Sequence, residues 1–179
     1  MIKRPSRIVF TGGPCSGKTT LLEQLALKGL TIVPETARII IEQEQKRDSE
    51  ILPWRNLYGF QEEVARVQLE QEHSYEGRHL FLDRGVVDGH GFSLNGKIPT
   101  PEIIMDFGKS RYNLVFLLDP LPNYKNDSSR KETPQMARKI HDRLDEAYRH
   151  FGYQPIRIPV LGSVEERANY ATKLLERVL

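Results

Sequence analysis

"RIVFTGGPCSGKTT", residues 7–20, sets three glycines and a lysine between a short apolar run and a helix-like run. Gly12, Gly13 and Gly17 have the most conformational freedom to lose on folding, so their presence here means that bare backbone is required. The spacing matches G-x-x-x-x-G-K-[ST], with Gly12, Gly17, Lys18 and Thr19 in register. The context matches as well. Ile8, Val9 and Phe10 read as a strand buried on both faces, and the run from Thr20 to Lys28 reads as a helix closed by Gly29. That order predicts a loop (Gly12, Gly13, Pro14, Cys15, Ser16, Gly17, Lys18, Thr19, Thr20) whose backbone N–H groups surround a polyphosphate at a partially positive helix N-terminus. Lys18 is expected to bridge the β- and γ-phosphates, and the Thr19 hydroxyl to join the shell of a Mg²⁺ ion. The plainer alternative is a tight glycine turn with an incidental lysine.

Composition narrows the classes. A chain of 179 residues is most simply one domain, able to bury roughly 70% of its unfolded surface. A net charge of +2, with 28% charged residues, lacks the basic excess of a nucleic-acid binder, and no apolar run approaches a membrane span. A single cysteine excludes an intrachain disulfide. Together with an N-terminus that has basic residues but no apolar leader, this makes the expected location cytoplasmic. Cys15 is either a small side chain in the loop or a redox-sensitive thiol.

Along the chain, apolar runs near 7–11, 30–34, 79–83, 113–118 and 155–160 alternate with helix-like sequence, which predicts an α/β fold with a parallel sheet covered on both faces. From Gln135, the residues Met136, Ile140, Leu144, Ala147, Tyr148 and Phe151 recur at helical spacing, until Gly152 stops the run. The loosest segments are 92–101 and 120–134. The second is either a solvated loop or part of a mobile lid near 120–140 that carries Arg130, Lys131 and Arg138 toward phosphate. Arg130 is the first choice for the residue that neutralises transferred charge.

In open α/β sheets ligands bind beyond the carboxyl ends of the strands, so polar residues there are candidates. "HLFLDRG" ends the third strand with Asp83, which can hold Mg²⁺, and Arg84, which can bind phosphate bidentately; an ordinary capping acid is the alternative for Asp83. "TIVPETAR" ends the second with Glu35. This carboxylate is either a general base for a substrate hydroxyl or an acid favoured by the dipole of the next helix, with Arg38 one turn on holding substrate or pairing with an acid. On the helix expected over 57–75, Gln61 can read a base or amide edge and Arg66 follows, although such a glutamine is more often solvated. Trp54 reads as core in preference to stacking on a ligand ring. Ser163 reads as an N-cap with Glu166 at N3, in a loop that can pack on an adenine ring.

"GGPCSGKTT", "VPETAR", "FLDRG" and the ending "FGYQPIRIPV…VEER" carry a resemblance over almost the whole chain. The sequence resembles P-loop nucleoside and nucleotide kinases, and is most similar to small AAA-type ATPase/kinase domains related to the nicotinamide-riboside kinase domain of the bacterial NAD regulator. The resemblance implies a three-layer P-loop NTPase fold with five parallel strands, the phosphate-loop strand in the middle, and ATP with Mg²⁺ as phosphoryl donor. Deoxynucleoside kinases carry a glutamate after the second strand, a Phe-Gln pair with a later arginine, and Glu-Arg-Ser; Glu35, Phe60-Gln61 with Arg66, and Asp83-Arg84 are similar in order, with Asp-Arg-Gly replacing Glu-Arg-Ser.

The expected function is a Mg²⁺-dependent kinase that moves the γ-phosphate of ATP to a nucleoside-like or other hydroxyl acceptor, with Lys18, Glu35, Asp83, Arg84 and Arg130 catalytic and Glu35, Arg38, Gln61, Arg66 and Arg84 around the acceptor. Group members associated with GTP and phospholipid binding imply the alternative of a regulatory ATP/GTP switch that binds a protein or phospholipid partner without kinase activity. "DGHG" at 88–91 only superficially matches the GTPase D-x-x-G, since Asp83 occupies the strand end, and "YKND" at 124–127 lacks the first Asn of N-K-x-D. A nucleic-acid-binding ATPase is disfavoured by the modest charge.

Overall fold

Five short apolar runs pair side by side because none can bury its backbone alone. In the computed structural model, which describes residues 5–122 and 133–178, they form one parallel sheet in the order β2-β3-β1-β4-β5. The strands are β1 (Ser6–Thr11), β2 (Ile32–Val33), β3 (His79–Asp83), β4 (Leu114–Leu118) and β5 (Ile156–Ile158). Between and after them run α1 (Lys18–Leu27), α2 (Thr36–Lys46), α3 (Leu57–Ser74), α4 (Asp88–Gly96), α5 (Glu102–Gly108), α6 (Pro134–His150) and α7 (Val164–Val178). Ile8 pairs with Phe81 on one side and Leu114 on the other, so the phosphate-loop strand is central as expected. Pro34 ends β2 after only two residues, since proline has no N–H for the ladder.

Alternate side chains of β1 feed two cores. Val9 packs with Leu82, Val87, Val115 and Tyr148 under α3, α4 and α6, while Ile8 and Phe10 pack with Leu21, Leu25, Phe116 and Ala171 under α1 and α7. Coverage on both faces explains why the strand reads as an unbroken apolar run. The topology also sets the ends of β2, β3 and β1 next to one another, so the residues just beyond Val33, Leu82 and Thr11 are brought together.

Expectations of order and burial need correction. The stretch 92–101 is not loose in its first half, because residues 92–96 complete α4. Its glycines serve packing: a Cβ on Gly91 would lie 2.9 Å from Leu144 Cδ2, 3.1 Å from the Arg143 carbonyl and 3.2 Å from Leu144 Cα. Two of those neighbours are α6 backbone, which cannot swing aside, so Gly91→Ala is expected to destabilise the protein by about 1–3 kcal/mol in chemical denaturation despite alanine's higher helix propensity. Trp54 is 60% exposed rather than core, and Met136 is exposed at the start of α6. The region expected as a lid divides: residues 123–132, with Arg130 and Lys131, lie outside the described residues, and 134–140 form the first turns of α6. There Thr133 caps the helix by accepting from the Met136 N–H at 3.2 Å, and Arg138 is exposed.

Candidate functional site

The loop after β1 leaves ordinary backbone space at several points. Gly12 has φ +150°, Cys15 +58° and Gly17 +75°, so positive-φ residues recur along the loop, as they do in backbone nests that bind anions. Side chains are excluded by neighbours as well as by φ. A Cβ on Gly12 would approach the Leu118 carbonyl to 2.8 Å, and one on Gly13 the Ala137 carbonyl of α6 to 2.6 Å. From behind, Arg167 of α7 donates to the Ser16 carbonyl at 2.5 Å, and to the Asp119 and Ile158 carbonyls at 2.8 and 3.0 Å. This buried guanidinium ties the loop to the ends of β4 and β5. Sequence reasoning gives Arg167 no such role; the available signal is a cation at a position on α7 whose helical neighbours Ala168, Ala171 and Leu175 are buried.

At the mouth of the loop the three strand ends converge. Lys18 Nζ lies 3.7 Å from Asp83 Oδ1, and the Thr19 hydroxyl is 3.5 Å from Asp83 Oδ2. Burial lowers the Lys18 pKa and raises that of Asp83, so the pair is pressed toward its neutral form. Asp83 Oδ1 is buried without a hydrogen-bond partner. A carboxylate with Oδ1 short of a donor and Oδ2 beside a hydroxyl suits a hard divalent cation that brings its other ligands with it. Among the described residues no group of three or more His, Cys, Asp or Glu is placed to hold a metal ion.

Glu35 takes the N-cap place of α2, yet its carboxylate caps nothing. It turns to Arg84, whose Nε donates to Oε1 at 2.9 Å. Burial pushes the Glu35 pKa up, but the charges of Arg84 and Lys18 overcome this and hold it at about 2. Arg84 sits in left-handed backbone at φ +71°, donates through Nη1 to Asp88 at 2.8 Å, and lies over the Phe92 ring at 5.2 Å. Arg38 is exposed on the rim, close enough to lower the Glu35 pKa further. Gln61 is buried, not solvated, with Oε1 3.2 Å from where a Gly89 Cβ would stand. Arg66 does not join the group. It is half exposed, five positions beyond Gln61 and so on a different face of α3, and is spent on Glu63 and Glu70 at 2.6 Å each.

Two grooves flank this cluster. One of about 400 Å³ runs between α1 and α2, with Thr19, Glu35 and Asp83 at its inner end and Leu22, Ile32 and Arg38 along its sides. The other, about 230 Å³, lies on the far side of the loop between Gly17, Leu121, Leu161, Val164 and Arg167. Ser163 accepts from the Glu166 N–H at 3.1 Å, so the expected N-cap forms at its rim.

Residues 7–167 match the family described as AAA domain. The chain belongs to that family. As an AAA domain of nucleoside-kinase-like architecture, it resembles the structure entitled "Crystal structure of NadR protein in complex with NR", with TM-score 0.73 and 18% identity over 98% of this chain and 52% of that one; it therefore spans about half the length of that protein. It also resembles deoxyadenosine kinase from M. mycoides with the products dCMP and a flexible dCDP bound, with TM-score 0.66 and 15% identity over 97% of this chain and 100% of that one. At these identities the likeness is one of fold. No curated protein sequence matches the domain.

Proposed function

We propose that this protein is an ATP-dependent, Mg²⁺-requiring kinase that transfers the γ-phosphate to a hydroxyl of a nucleoside-like small molecule. The observation that carries the reading is the meeting of Glu35 and Arg84, from two strand ends, beside Lys18, Thr19 and Asp83 at the phosphate loop. A phosphate-binding loop alone serves any nucleotide protein. A carboxylate kept ionised beside it, on the wall of a groove large enough for a second small molecule, is what transfer to an alcohol adds.

Each residue then has a task. The loop amides and Lys18 bind the triphosphate, and the exposed apolar Leu121, Leu161 and Val164 of the second groove cover the base. Thr19 and Asp83 would hold Mg²⁺, which would supply neutralisation of the polyphosphate charge. Arg84 turns from Glu35 toward the transferred phosphoryl group, and Glu35, relieved of its partner, orients the acceptor hydroxyl and takes its proton. Arg38, on the side of the same groove, contacts the acceptor, whereas Gln61, buried against Gly89, does not line that groove. The fold relatives, one titled as bound to NR and the other a deoxyadenosine kinase, support an acceptor of nucleoside size.

Incubation with γ-labelled ATP, Mg²⁺ and a panel of nucleosides and nucleotides tests this. Label is expected in one acceptor, with free phosphate below it. Label released only as phosphate, or retained on ATP across the panel, would overturn the kinase reading in favour of a nucleotide-gated switch.

A further inference from the structure

Asp88 belongs to the "DGHG" stretch that matches a GTPase motif only in form, and the proposed reaction assigns it nothing. Its side chain is nevertheless among the most enclosed in the protein, 4% exposed, and four donors from three parts of the chain converge on it. Thr11, the last residue of β1, donates its hydroxyl to Oδ1 at 2.6 Å, and Arg84 Nη1 donates to the same oxygen at 2.8 Å. The Gly85 N–H donates to Oδ2 at 3.0 Å, and Tyr148 from the middle of α6 donates its hydroxyl there at 2.6 Å. Each oxygen receives two donors. A buried carboxylate so saturated fixes the direction of every group that points at it.

The group that most needs fixing is Arg84. It occupies left-handed backbone without being glycine, a conformation that persists only where the surroundings over-determine it. Its guanidinium is shared out: Nε faces Glu35, Nη1 faces Asp88, and among the described residues Nη2 makes no hydrogen bond. If Arg84 is to leave Glu35 for phosphate, Asp88 is the contact about which it turns. We infer that Asp88 is a positioning residue, which holds Arg84 by Nη1 and, through Tyr148, makes α6 part of the support of that arginine. The inference rests on the kinase reading for its catalytic consequence but not for its geometry. The same helix already touches the phosphate loop at Gly13, so α6 braces both the loop and the arginine beside it.

The test uses Asp88→Asn, which keeps the shape and one acceptor oxygen, and Tyr148→Phe, which removes a single donor and keeps the ring in its core. The NMR signal of Arg84 Nε–H, assigned by its loss in Arg84→Lys, is followed together with kcat and the KM for ATP. In the unmodified protein that signal is expected to be resolved and slow to exchange with water. Asp88→Asn is expected to speed its exchange and to lower kcat by about 10²-fold, as for a misplaced catalytic group, with the KM for ATP changed less than about threefold. Tyr148→Phe is expected to move both readouts in the same direction by less. A variant that kept the Arg84 signal and kcat while merely melting earlier would overturn the proposal and make Asp88 a stabilising residue only. Should Asp88→Asn not fold, Tyr148→Phe decides by the same two readouts. If the unmodified protein phosphorylated no acceptor, the kinase reading would fail separately, and the exchange of Arg84 Nε–H in the two variants would still decide the role of Asp88.

Discussion

Replacing Lys18 by methionine is expected to lower phosphoryl transfer by about 10³-fold while leaving the fold in place, the scale seen when one preorganised donor to a developing charge is removed. Lys18 is 7% exposed, so its methylene stem already lies in protein and methionine fills nearly the same space. Loss of one partner from a buried pair is ordinarily destabilising, because the other charge is stranded. Here Asp83 has two ways out. Burial has already raised its pKa, so it can take up a proton, and the charge of Arg84 also acts on it. The melting temperature of Lys18→Met without nucleotide is therefore expected to stay within a few degrees of the unmodified protein, while ATP·Mg²⁺ binding by calorimetry weakens and turnover with the acceptor collapses. Wild-type turnover in this variant would remove Lys18 from the phosphate clamp. Collapse of the fold would mean that the Lys18–Asp83 pair is principally structural.

What could be read from the sequence depended on how local the controlling interactions are. The phosphate loop was legible because its demands fall on consecutive residues: φ values above zero, bare backbone under the Leu118 and Ala137 carbonyls, and a helix starting at Lys18. Glu35 and Asp83 were legible because two short apolar runs end there, and parallel pairing sets those ends side by side. Asp88 was not, since its partners Thr11 and Tyr148 lie 77 and 60 residues away. Nor was the role of Arg167, which reaches a carbonyl 151 residues earlier in the chain. The glycines of α4 carry no local signal of their role either: Gly89 and Gly91 sit inside a helix because Ile104 and the α6 backbone press against them. Arg66 shows the limit of order as a guide: it comes after Gln61 as in the resembling kinases, but ion pairing with Glu63 and Glu70 on its own helix claims it.

Glu35→Gln separates the role of a carboxylate from that of its shape, and two effects of opposite pH character are expected. In the unliganded protein Glu35 is held at about 2, below its ordinary 4.5, by Arg84 and Lys18 acting against burial. A depressed carboxylate contributes stability that is present above the unfolded-state value and lost as the pH falls through the folded-state value. Glutamine lacks that contribution at any pH, so the variant is expected to be less stable by about 2 kcal/mol near pH 7, reduced from the full linkage because the side chain is a fifth exposed, and the difference should close between about pH 4.5 and 2. Catalysis obeys another logic. A carboxylate with so low a pKa is a weak base while Arg84 holds it; on the kinase proposal it gains basicity when Arg84 turns to the phosphoryl group. With a loose transition state for phosphoryl transfer the proton is expected to move late, so the chief service expected of Glu35 is to orient the hydroxyl. Glu35→Gln is therefore expected to reduce kcat by about 10²- to 10⁴-fold, with ATP·Mg²⁺ affinity within about twofold of the unmodified protein. If kcat and ATP affinity fell together, Glu35 would act by holding Arg84 and Lys18 in place, and the acceptor's proton would have to go elsewhere.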